Sequence, residues 1–140
     1  MSKYQNLNLA QVQTLASELA LALRNKSATI GLIGPLGSGK TTFVQAFSNK
    51  LGINAIKSPT FVIAHRYRIG KKFLHHFDFY RLEKPKQLEP LGLEEILSGK
   101  NLVLIEWVDR FPKIKKFCDI IVKFKVKQGN LRDVQIQNQK

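Results

Sequence analysis

The chain has 140 residues, 44% of them hydrophobic, with 23 Lys and Arg against 10 Asp and Glu for a net charge of +13. This suits one folded domain over residues 1–140 and excludes a disordered chain, a disulfide scaffold (one cysteine, Cys118, cannot build it) and a helix spanning a membrane, which needs about 18 apolar residues in a row. The positive field attracts polyanions such as nucleotides and RNA, and with no secretory signal at the amino terminus the expectation is a cytoplasmic protein with no membrane role.

Asn8 stands before a helical pattern in which Leu9, Val12, Leu15, Ala16, Leu19 and Leu23 recur at three- and four-residue steps, and Gln11 completes a capping box. Ala28–Ile33 reads as a buried strand. The segment Gly34-Pro35-Leu36-Gly37-Ser38-Gly39-Lys40-Thr41 follows it, and Thr41 to Leu51 reads as a helix stopped at Gly52. After Ser58-Pro59-Thr60-Phe61 come a strand, Phe61–Tyr67, a hairpin turn at Gly70-Lys71 and a second strand, Phe73–Tyr80. On the latter, His76, Asp78 and Tyr80 share one face by alternation. Lys86–Leu97 reads as a turn and short helix ending near Gly99. The apolar run Leu102–Ile105 has the continuity of a strand covered on both faces. In the tail, Ile120, Val122, Phe124 and Val126 alternate with Lys123, Lys125 and Lys127, giving one wet face. Gly129-Asn130 marks a hairpin into a last strand with Val134 and Ile136. The elements add up to an α/β fold: a three-layer core with a mixed sheet, parallel at its centre and extended by an antiparallel hairpin.

The chemistry concentrates on Gly34–Thr41, which satisfies G-x-x-x-x-G-K-[ST] between a strand and a helix. Gly34, Gly37 and Gly39 let the backbone turn its N–H groups, with those of Ser38 and Thr42, toward phosphates. Lys40 reaches the β- and γ-phosphates, and the Thr41 hydroxyl completes the shell of Mg²⁺. Glu106, at the end of the Leu102–Ile105 strand, is placed to hold the metal with Thr41. Three side chains keep two readings each at this level: Trp107 as core or as a wall of the nucleotide site, Asp78 as a water-orienting group or as an ion-pair partner of Arg81, Thr60 as a switch-like contact or a turn hydroxyl. ATP is favoured over GTP because no N-K-x-D segment follows.

Five segments carry a resemblance: Gly34–Thr42 (GPLGSGKTT), Ser58–Phe61 (SPTF), His76–Leu82 (HFDFYRL), Leu91–Ile96 (LGLEEI) and Glu106-Trp107. In this order they resemble the TsaE family of bacterial tRNA threonylcarbamoyladenosine biosynthesis ATPases. The resemblance implies an ATP hydrolase using ATP and Mg²⁺ with TsaB and TsaD homologues, which place threonylcarbamoyl on adenosine 37 of tRNA. By it, Lys40 and Thr41 serve phosphate and metal, Glu106 is the second metal residue, and Asp78 is needed for hydrolysis. Thr60 is the switch-like threonine, Trp107 lies beside the nucleotide, and Thr14 and Arg132 touch it from the two chain ends. One departure stands out: the family usually carries an acidic residue where this chain has Pro35, which removes one N–H donor from the loop. Two other readings use the same residues: a small P-loop kinase, and a basic RNA-binding module with a vestigial loop.

Overall fold

The structure, a computed structural model, describes residues 1–54 and 64–140. The Ser58–Phe61 segment with Thr60, and the first part of the Phe61–Tyr67 strand, lie outside the described residues. The strands are β1 (Ser2–Leu7), β2 (Ala28–Ile33), β3 (Ala64–Ile69), β4 (Lys72–Asp78), β5 (Leu102–Glu106), β6 (Ile120–Val126) and β7 (Arg132–Asn138). The α-helices are α1 (Leu9–Leu23), α2 (Lys40–Lys50), α3 (Leu93–Ser98) and α4 (Pro112–Phe117), with 3-10 segments at Pro85–Leu91 and Val108–Arg110.

The strands form one sheet in the order β1-β7-β6-β2-β5-β4-β3. β6, β2, β5 and β4 run parallel, while β1, β7 and β3 pair antiparallel at the two sides. β2 and β5, the two continuous apolar runs, sit innermost and are covered on both faces. One face packs Ile30, Leu32, Leu102, Leu104 and Val122 against α1 and α2 through Val12, Ala16, Phe43 and Phe47. The other packs Val103, Ile105 and Ile121 against Leu93 of α3, Ile114 of α4 and Phe111 just before it. The result is the three-layer α/β architecture with a mixed sheet. Among the described residues no helix is long and apolar enough to cross a membrane.

The capping box at the start of α1 is present in both directions: Gln11 N–H donates to Asn8 Oδ1 at 2.8 Å and Asn8 N–H to Gln11 Oε1 at 2.9 Å. Four features differ from the sequence reading. β1 is nearly all exposed and carries no burial pattern; it exists because the edge of β7 supplies backbone partners, Tyr4 beside Val134 and Ser2 beside Ile136. α4 starts on Pro112 at the first helical position, where a missing N–H costs nothing. β4 ends at Asp78 rather than Tyr80: Phe79 N–H makes the last ladder bond, to the Glu106 carbonyl at 3.0 Å, and Tyr80 N–H leaves the ladder for Asp78 Oδ1 at 3.0 Å. Tyr80 is therefore exposed in a turn and does not share the strand face of His76 and Asp78. Likewise Lys127 lies beyond β6, its N–H closing the hairpin onto Leu131 at 2.8 Å.

Cys118 is fully buried under the second face. Burial, helped by the nearby Asp119 carboxylate, pushes its thiol up to about 12. Between the unfolded value of 9.0 and about 12, the unfolded chain releases a proton that the folded one keeps, so stability falls as pH rises across that window. Below it the contribution is constant. We expect native protein at pH 8 to resist iodoacetamide at Cys118 while urea-unfolded protein is alkylated promptly, as read by mass spectrometry; equal rates would contradict the burial.

Candidate active site

The register of three neighbouring parallel strands assembles the site. Leu32 at the end of β2 lies beside Glu106 at the end of β5, and Glu106 beside Asp78 at the end of β4. Residues paired across parallel strands point to the same face, here that of α2. The loop after β2 rises over this row and delivers α2, whose N-cap, Gly39, is left-handed (φ 111°) and offers no side-chain cap. The first intrahelical bond is Phe43 N–H to the Gly39 carbonyl at 2.9 Å, so by helix geometry the amides of Gly39, Lys40, Thr41 and Thr42 have no acceptor within α2. The Ser38 hydroxyl inside the loop is buried and, among the described residues, has no hydrogen-bond partner. Orphaned donors at a helix start make an anion site.

Thr41 Oγ1 donates to Glu106 Oε1 at 3.2 Å. The Lys40 ammonium bonds the carbonyls of Gly34 and, at 2.9 Å, Pro35, and stays within the loop. It also sits over the Trp107 ring, 4.4 Å from its centre. Burial lowers the proton affinity of Lys40, and the carboxylates of Glu106, Asp78 and Asp109 oppose that shift. Burial raises the pKa of Asp78; the Tyr80 amide opposes this, and the charge of Glu106 adds to it. Trp107 adopts a left-handed backbone (φ 59°), which costs an L residue about 1–2 kcal/mol. Its N–H continues the ladder to the Leu32 carbonyl at 3.0 Å, and the turn leaves the ring between Lys40 and Tyr80, 5.0 Å from the tyrosine ring.

Behind the loop, Arg132 at the start of β7 is buried and donates from Nε to the Ser38 carbonyl at 3.1 Å and from its guanidinium to the Asn130 carbonyl at 2.9 Å. Gly34 passes so close to β6 that a Cβ there would lie 2.8 Å from Phe124 Cβ and 2.8 Å from Ser38 Oγ. Phe124 Cβ is fixed by its own backbone and cannot swing aside. Gly34→Ala should therefore displace the loop and cost about 1–3 kcal/mol, visible as a lower melting temperature. An unchanged melting curve would contradict the close approach.

A family model described as "Threonylcarbamoyl adenosine biosynthesis protein TsaE" matches residues 7–135. The chain belongs to the TsaE family. Proteins named as TsaE that are similar to it include that of Aquifex aeolicus, 36% identical over 87% of this chain and 85% of the relative. That of Haemophilus influenzae is 35% identical over 76% and 68%, and that of Bacillus subtilis 39% identical over 75% and 65%. A crystal structure of Bacillus subtilis YdiB superposes with a TM-score of 0.79 at 27% identity, covering 99% of this chain and 86% of the other.

Within this TsaE fold, the residues that the sequence singled out fall into three groups. Gly34, Gly37, Ser38, Gly39, Lys40, Thr41 and Thr42 form the loop and helix start, and Asp78, Glu106 and Trp107 border it. Arg132 braces the loop by its carbonyl. Thr14 is exposed on α1, its hydroxyl donating to the Ala10 carbonyl at 3.2 Å; among the described residues it makes no hydrogen bond to the loop. Thr60 lies outside the described residues. Sequence reasoning left out His76 as a site residue: it is fully buried, and its Nε2 is 2.7 Å from Glu106 Oε2. The two-residue spacing from Asp78, with Glu106 on the neighbouring strand, was the available signal.

Proposed function

We propose that this TsaE-family chain is a Mg²⁺-dependent ATPase serving threonylcarbamoyladenosine formation at position 37 of tRNA. It acts in the cytoplasm with TsaB and TsaD homologues and reaches tRNA through that complex. The observation that carries this reading is the Thr41–Glu106 contact beneath an uncapped helix start: a hydroxyl and a carboxylate from two elements meet where phosphate-seeking amides converge. The residues suit the group. Among the described residues no cluster of three His, Cys, Asp or Glu forms a metal cage, and Mg²⁺ in phosphate sites takes one or two protein oxygens with the rest from phosphate and water. Thr41 and Glu106 would supply those oxygens, and the buried Ser38 hydroxyl would gain an acceptor. When bound, Mg²⁺ would offset phosphate charge.

The chain's own residues do the rest. Lys40 exchanges loop carbonyls for phosphate oxygens, a stronger charge-assisted contact. The Tyr80 amide fixes the orientation of Asp78, whose raised pKa makes it a better hydrogen-bond acceptor for an attacking water. Trp107 screens one side of Lys40 from solvent. The test is reconstitution with the two partner homologues, tRNA, threonine, bicarbonate and ATP: repeated rounds of tRNA modification that require this chain support the reading, and equal modification without it overturns it.

A further inference from the structure

We propose that His76 is the positioning residue of this site, its Nε2–H holding Glu106 Oε2 so that Oε1 stays turned toward Thr41. The inference rests on the reading of Glu106 as a metal residue. The two oxygens of Glu106 are divided between two partners, His76 at 2.7 Å and Thr41 at 3.2 Å. The division makes one oxygen structural and leaves the other for the site. Packing alone does not explain an imidazole here. Its neighbours on the same face are Leu74 and Asp78 on its own strand, with Leu104 of β5 and His65 of β3 beside it in register, and its Nδ1 is buried without a partner among the described residues. An apolar side chain would fill that place without an orphaned nitrogen. A carboxylate only accepts, so Nε2 carries the proton of this contact.

The clamp has something to work against. Among the carboxylates near the Lys40 ammonium, Glu106 acts on it most strongly, and Asp78 sits next to Glu106 in register. With no hold on Oε2, Glu106 turns to pair with Lys40, which removes it from Thr41 and draws the lysine off the loop. Hydrogen bonds to metal-ligating carboxylates commonly contribute about 10- to 100-fold in metal affinity.

The experiment measures Mn²⁺ affinity by electron paramagnetic resonance for the full chain with ATP present, alongside ATP binding in EDTA and thermal melting. His76→Leu should weaken Mn²⁺ binding by about 10- to 100-fold beyond any change in metal-free ATP binding, with melting lowered because the buried Glu106 carboxylate loses a partner. His76→Gln, whose amide nitrogen lies where Nε2 was, should restore most of the affinity; His76→Asn, whose nitrogen mimics Nδ1, should not. Should His76→Leu fail to fold, the Gln and Asn pair decides, and equal Mn²⁺ affinity in those two overturns the clamp. Parent-like affinity in His76→Leu overturns the clamp and leaves the ATPase reading standing. A parent that takes up no Mn²⁺ with ATP overturns both.

Discussion

Lys40→Ala should lower ATP affinity by roughly a hundredfold or more. The estimate follows from replacing charge-assisted contacts to phosphate, each worth about 1.5–3 kcal/mol, by none, with about 1.4 kcal/mol per tenfold. The effect should fall on binding first, because the ammonium already lies inside the loop, bonded to the Gly34 and Pro35 carbonyls and flanked by Trp107. Removing it leaves those carbonyls without their donor, so some loosening of the loop accompanies the loss. Titration calorimetry of parent and variant at equal Mg²⁺ measures it. A variant that binds ATP as tightly as the parent would contradict the placement of phosphate over this loop.

Asp78→Ala should act on turnover instead. Water-positioning or general-base groups typically contribute 10²- to 10⁴-fold, and a loss of about that size is expected with ATP affinity nearly kept. Asp78 is at the end of β4 beside Glu106, oriented by the Tyr80 amide, but it does not belong to the loop. Its stability effect runs the other way. Burial raises its pKa above the ordinary 3.8, so folding weakens as pH rises through 3.8 to the raised value, and the cost persists at neutral pH. Asp78→Asn should therefore melt at or above the parent temperature at pH 7, with the gain fading below about pH 4. Single-turnover phosphate release and thermal melting across pH check both halves. Full activity in the alanine variant would remove Asp78 from the reaction.

Much of this was legible in the sequence because the loop and its flanking elements leave local signatures. Gly34–Thr41 fixes a strand before it and a helix after it, and continuous apolar runs marked β2 and β5 as central. Glu106 at the end of such a run fell where parallel strands open onto a ligand. The rest depended on pairings that no local pattern records. β1 is hydrophilic and forms only because β7 offers an edge, so nothing in Ser2–Leu7 announces it. β4 looked longer than it is because Phe79 and Tyr80 extend the aromatic alternation, whereas Tyr80 N–H leaves the ladder for the Asp78 carboxylate and ends the strand. His76 hid for a related reason: in Phe73-Leu74-His75-His76-Phe77 the two histidines look alike. Alternation puts His76 on the face of Asp78, but only register brings it beside Leu104 and within reach of the Glu106 carboxylate. Thr14, which the resemblance to the TsaE family implies as a nucleotide contact, donates its hydroxyl to the Ala10 carbonyl of its own helix in the free chain.

The proposed hold of Thr41 and Glu106 on a metal that accompanies ATP is tested most directly by calorimetric titration of the isolated chain with ATP, with and without Mg²⁺, in the parent and in Glu106→Gln. Saturable binding that tightens with Mg²⁺ in the parent, and loses that tightening in Glu106→Gln, is the predicted result. No ATP uptake under either condition, or the same Mg²⁺ dependence in both proteins, would contradict it.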